Sequence, residues 1–300
     1  MTTAQSLPYA ALESQLAQIE FWQSPIAVEY AEAVRGNIVV KGQGDVQIRS
    51  AGTMAEGIRN AFRYATPYFL SSEIITLIHD SMKDFPTGIP FGSIWPENPI
   101  GWMHMEQPFM LEADDGGDGL ECAGILWSPE QQVGHMATGF FGGSVGWPYA
   151  NALRLWTTQT FGPDAHIGDV EDLDVINLSN FGIYTSRFTA TLFAFLRQKI
   201  VSFQDYRGPR STTRRFQRAT QTEAPLVRVI QLRKREVHGR ENGDSEPQDW
   251  SYRWIVSGHW RKQWYSSRHR HEPLFIDSYV KGPDDKPLKA RRVNLYAVVN

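Results

Sequence analysis

The chain has 300 residues, 41% hydrophobic and 21% charged, with a formal net charge of −3 and one cysteine. That composition supports a packed core and excludes a disordered chain, and a single thiol, Cys122, excludes an internal disulfide framework and a zinc site of two to four thiolates. The small net charge conceals a division: residues 1–186 hold 7 Lys and Arg against 22 Asp and Glu, a net −15, whereas residues 187–300 hold 23 against 11, a net +12.

The first 20 residues have neither the basic nor the apolar region of a secretory signal, and no run approaches the ~18 apolar residues of a membrane span, so a cytoplasmic protein without a membrane partner is expected. Leu12, Leu16, Ile19 and Phe21 are spaced for a helix over 10–21, and a second is expected over 26–34. Ile38–Val40 reads as a short strand. Thr53 and Glu56 fit a capping box that opens a helix running to Tyr64, before Pro67. Ser71 or Ser72 caps a further helix whose buried stripe holds Ile74, Ile75, Leu77, Ile78 and Met82.

From Phe85 to Trp147, Pro and Gly punctuate short apolar runs, and strands are expected at 100–109, 120–127 and 133–145. The acidic turn at 114–119 lacks the alternating ligands and closing Glu of a calcium loop and reads as a solvated hairpin. Residues 149–161 and 186–203 are read as helices, the second apolar at steps of three and four, with a carboxylate-rich loop at 164–174 between them.

Residues 206–224 carry five arginines and few apolar side chains, and are read as an exposed linker. Strands are then expected at 226–236, 251–264, 274–280 and 293–299. The expected architecture is therefore α+β: an acidic, helix-rich domain with a mixed or antiparallel sheet over 1–205, an Arg-rich linker over 206–224, and a small basic antiparallel β module over 225–300.

The basic part has the composition of a nucleic-acid surface. Guanidinium groups offer a planar fork to phosphate, and indoles offer stacking faces to unpaired bases. The candidate binding residues are Arg210, Arg214, Arg215, Arg218, Arg253, His259, Trp260, Arg261, Lys262, Trp264, Arg268 and Arg270. Against this, Trp250, Trp254, Trp260 and Trp264 share one face of an unbroken strand and would form the module's core; a bulge at Gly258 would break that parity. His259, His269 and His271 raise the alternative of a metal-independent ribonuclease, because imidazole can pass a proton near neutral pH. No phosphate-binding loop, dinucleotide fingerprint, nucleophile elbow or zinc motif is present in the sequence. No cofactor or metal is expected, and Cys122 reads as a buried core thiol.

The run Trp254-Ile255-Val256-Ser257-Gly258-His259-Trp260-Arg261-Lys262-Gln263-Trp264, with Leu274-Phe275-Ile276 and Lys281-Gly282-Pro283, resembles the closing module of a family of mostly uncharacterised actinobacterial and actinophage proteins. More distantly it resembles the end of the type V-A anti-CRISPR protein that blocks production of its target nuclease. A weaker echo lies between Phe85-Pro86-Thr87 and Pro99-Ile100-Gly101-Trp102. The motif positions that carry over are Gly258, His259, Trp260 and Arg261. Lys262-Gln263-Trp264 and the Arg/His loop depart from the pattern, and Lys-Gly-Pro is shared with the actinobacterial group alone. The resemblance implies a phage or mobile-element regulator that acts on RNA, or on a nascent chain at the ribosome, without classical enzyme activity. A protein target gripped by the basic tail, without nucleic acid, is the remaining alternative.

Overall fold

The structure is a computed structural model that describes residues 8–35, 51–111, 120–130, 135–142, 154–161, 163–165, 181–232, 254–256, 258–277 and 279–281. The expected strands at 38–40 and 293–299, the acidic turn at 114–119, and Trp250 and Arg253 lie outside those residues.

Three helices open the described chain: α1 (Ala10–Trp22), α2 (Pro25–Arg35) and α3 (Ala51–Tyr64). α3 starts two residues before Thr53, so that residue lies in the first turn and not at the cap. Strand β1 (Thr66–Leu70) is followed by α4 (Ser72–Ser81). Ser71 makes no side-chain capping bond; instead the backbone N–H and the hydroxyl of Ser72 both donate to Glu106 Oε2, at 2.9 and 3.1 Å. A carboxylate from the neighbouring strand thus meets the positive end of the helix.

β2 (Gly101–Leu111), β3 (Leu120–Glu130), β4 (His135–Gly142) and β5 (Arg154–Phe161) form a meander. β5 occupies residues expected to be helical. Trp156, Thr157, Thr158, Thr160 and Phe161 favour the extended chain, and β5 pairs along β4 from Arg154 to Phe161. The apolar helix α5 (Phe181–Leu196) begins and ends earlier than its hydrophobic spacing implied, and residues 201–206 form strand β6 instead. The segment expected to be a linker contains helix α6 (Arg210–Thr220), which leads to β7 (Val227–Leu232).

β5-β4-β3-β2-β1-β7-β6 make one seven-stranded sheet. β1 runs parallel to both β2 and β7, and the other pairs are antiparallel. The expected boundary at 205–225 therefore runs through this sheet, because β6 and β7 pair with each other and β7 pairs with β1. The fold is α+β, as expected, with two smaller antiparallel pairs from the chain's end: β8 (Trp254–Val256) with β11 (Tyr279–Lys281), and β9 (His259–Tyr265) with β10 (Arg270–Ile276).

Successive strand residues point to opposite faces, and two cores result. Phe69, Trp102, Leu126, Phe141 and Val227 pack under α1, α2, α3 and α6. Tyr68, Met103, Ile125, Trp127 and Ile230 pack under α4, α5 and the β9–β10 hairpin. A glycine makes room for an indole on each face. A Cβ on Gly101 would lie 2.0 Å from the Trp127 ring, and one on Gly124 would lie 2.2 Å from the Trp102 ring. Polar side chains tie the layers together at buried backbone groups. Gln15 of α1 donates to the carbonyls of Phe62 and Ala65 at the end of α3, and Arg187 of α5 donates to the carbonyls of Met82, Lys83 and Phe85.

Candidate nucleic-acid interface

α6 is short of apolar residues, yet Thr212, Phe216 and Thr220 fall at steps of four and form one buried stripe. Phe216 is fully buried beneath α1, and Gln221 closes the helix in the left-handed conformation, its N–H bonded to the Gln217 carbonyl. With that stripe inward, Arg210, Arg214, Arg215 and Arg218 all reach solvent. Arg215 makes two bonds to the Glu20 carboxylate, from Nε at 3.1 Å and Nη2 at 2.5 Å. Arg210, Arg214 and Arg218 have no carboxylate partner among the described residues. They stand four residues apart, about 6 Å along the helix axis, so they form one line of guanidinium groups.

The β9–β10 hairpin treats its residues differently. Trp260 is buried, donates its indole N–H to Ser81 Oγ at 3.2 Å, and meets Phe85 and Phe275 edge-to-face at 5.2 Å. It belongs to the core and offers no face to a base. Lys262 is exposed, and its ammonium donates to the Thr87 carbonyl at 3.1 Å. Trp264 has the same parity as Trp260 but lies past the edge of the core, 47% exposed, with its ring 4.9 Å from that of His271. Arg261 faces away from the core and is exposed. Gly258 separates β8 from β9, so residues 251–264 are not one strand. A Cβ on Gly258 would lie 2.8 Å from Phe275 Cζ.

Arg268 and Arg270 converge on Glu272, with bonds of 2.8 and 2.9 Å from Arg268 and 2.8 Å from Arg270 Nε. Partial burial by itself would raise the Glu272 carboxyl; the bonds from both arginines outweigh it and hold that carboxyl below its ordinary range. His259 stands at the far end of the hairpin from His269 and His271. His259 pairs with Ile276 and His271 with Trp264, five positions apart along the ladder, or about 17 Å. His269 occupies the left-handed position that closes the hairpin turn.

The candidate residues thus fall on opposite sides of the sheet. α6 belongs to the layer over Trp102, and the hairpin to the layer over Trp127. Sequence proximity had joined two surfaces that the fold separates.

Sequence reasoning missed the residues that hold the hairpin in place. Gln198, just past α5, donates to the Pro273 carbonyl at 3.2 Å and accepts the Phe275 N–H at 3.0 Å. Its neighbour Arg197 donates to the carbonyls of Ser93 and Trp95. Only the Pro- and Gly-marked texture around Trp95 hinted at a structured loop there. Cys122 is buried, and burial pushes its thiol up to about 12.

Among the described residues there is no group of three His, Cys, Asp or Glu side chains able to hold a metal ion, and no helix is long and apolar enough to cross a membrane. No family model matches the chain, and no curated protein matches it.

Proposed function

We propose that this protein binds RNA without cleaving it, as a cytoplasmic regulator of the kind implied by the resemblance of its C-terminal run. The observation that carries the reading is the line of Arg210, Arg214 and Arg218 on α6, exposed and without carboxylate partners among the described residues. Guanidinium forks at regular spacing suit a ladder of phosphates. The outer face of α6 also favours a polyanion over a protein partner. Ser211, Arg214, Gln217 and Arg218 are exposed there, and no apolar side chain of the helix is. Protein interfaces take most of their affinity from buried aromatic and aliphatic anchors.

The ribonuclease alternative finds less support. General acid–base cleavage by two imidazoles needs both within reach of one phosphodiester, and His259 is set too far along the hairpin to act with His271, which leaves only His269 and His271 near each other. The test is fluorescence anisotropy with a labelled single-stranded RNA over a range of salt. The triple charge reversal Arg210→Glu, Arg214→Glu, Arg218→Glu is expected to weaken binding at least about 100-fold and to flatten the salt dependence, by a slope of about two to three. The reversal Arg59→Glu, Arg63→Glu on α3 serves as the control. Equal losses from both variants would refute the α6 assignment.

A further inference from the structure

A second site lies on the other side of the sheet from α6. The turn end of the β9–β10 hairpin and the segment after Thr87 enclose a half-open cleft of about 520 Å³. The residues that matter in its lining are Lys262, Arg270 and His271 from the hairpin, Trp95 and Ser93 from the facing segment, and Asp164.

The cleft is built, not incidental. The N–H groups of Phe91 and Gly92 donate to the carbonyls of Ala165 and Pro163, each at 2.9 Å, and fix the third wall. Gly92 fits closely there, since a Cβ would lie 3.0 Å from Pro163. Arg197 holds the Ser93–Trp95 wall and Gln198 holds the hairpin, so the end of α5 sets the width of the opening.

Two cationic side chains, Lys262 and Arg270, line it. Arg268 and Arg270 share the single carboxylate of Glu272, so that pair keeps one positive charge. Lys262 bonds a neutral carbonyl and makes no ion pair among the described residues. Asp164 is the one carboxylate in the lining among the described residues, and it offsets one of these charges. The cleft also offers flat surfaces, the Trp95 indole and the His271 ring, which leans on Trp264. The Trp95 indole N–H is buried and has no acceptor among the described residues.

We infer that this cleft binds a nucleoside monophosphate group, free or at the phosphorylated end of a strand. Lys262 and Arg270 hold the phosphate, and Trp95 supplies a ring face to the base. The volume is of the size that takes one small ligand and is too small for a duplex. The inference is independent of RNA binding by α6.

The test is calorimetric titration of the full chain with AMP, GMP, CMP and UMP, with ribose 5-phosphate as the probe that lacks a base. At least one nucleotide is expected to bind saturably, about tenfold or more tighter than ribose 5-phosphate. Lys262→Ala and Trp95→Ala should each weaken it about tenfold, with thermal unfolding of each variant checking that it folds. The triple reversal on α6 should leave it unchanged. A 5′-phosphorylated tetranucleotide that matches the free nucleotide, when its 5′-hydroxyl counterpart does not, identifies a strand end as the ligand; binding of the free nucleotide alone identifies a free metabolite. No saturable binding at millimolar concentration, equal binding of ribose 5-phosphate, or loss in the α6 variant would each overturn the inference. None of these results bears on whether RNA binds α6.

Discussion

α6 and the β9–β10 hairpin are both rich in arginine, and they use it in opposite ways. On α6 the apolar stripe is one residue wide, so the helix rests on Phe216 and its cations point outward. In the hairpin, aromatic and cationic residues alternate along strands that must dock on the body. Trp260 and Phe275 go into the core, Lys262 reaches the Thr87 carbonyl, and Glu272 gathers Arg268 and Arg270. A basic composition therefore does not by itself locate a polyanion site; the contacts that dock the element decide which charges remain available.

The largest expected effect breaks the comparison on the hairpin side. Trp260→Ala removes a buried indole and its bond to Ser81, and should cost about 3–5 kcal/mol of stability. Because Trp260 is core and not a stacking platform, RNA affinity measured where the variant is still folded should stay close to that of the parent. Chemical denaturation together with anisotropy reads both quantities. A large loss of affinity in a variant of unchanged stability would restore Trp260 to the binding surface.

The next effect concerns the layer that carries α6. His104 of β2 faces Phe69 in that core, at 6.2 Å between rings, and its Nδ1 has no hydrogen-bond partner among the described residues. Burial lowers its pKa from 6.5 to about 4. The unfolded chain therefore takes up a proton below about pH 6.5 that the folded chain refuses until about pH 4. Stability is lost progressively as pH falls through that window, by up to about 3 kcal/mol from this group. His104→Leu should remove that part of the acid sensitivity. Denaturant midpoints at pH 7 and pH 4.5 for both proteins measure it, and an unchanged pH dependence would mean that His104 is solvated.

Much of the fold was legible because its signals are local. The spacing of Leu12, Leu16 and Ile19 gave α1, and the apolar runs around Trp102, Ile125 and Phe140 gave the central strands. What escaped were elements whose identity depends on tertiary pairing. β5 is a strand because it lies along β4, and β6 ends what looked like a continuous apolar helix because Val201 and Phe203 pair with Leu232 and Ile230. α6 was hidden by composition: the pattern Thr212, Phe216, Thr220 was there, but two threonines do not register as a hydrophobic stripe. The candidate site was legible as residue types and not as a place, since nothing in the alternation of Trp and Arg says which side of a sheet each will occupy.

The smallest expected effect sharpens the comparison within α6 itself, between Arg214 and Arg215. The two are adjacent and both exposed, but only Arg215 is bonded to Glu20. An exposed pair of this kind contributes about 0–1 kcal/mol, so Glu20→Gln should change stability little. Its consequence lies in binding. With the carboxylate gone, Arg215 joins the line formed by Arg210, Arg214 and Arg218, and a local negative charge is removed, so affinity for RNA at low salt should rise about two- to fivefold. Arg215→Ala in the parent should then lose less affinity than Arg214→Ala, whereas in the Glu20→Gln background the two losses should converge. Anisotropy on the six proteins, the two backgrounds and the two variants of each, closes this cycle. Equal losses in both backgrounds would show that Glu20 does not withhold Arg215, and the contrast between bonded and unbonded guanidinium groups would no longer account for the site.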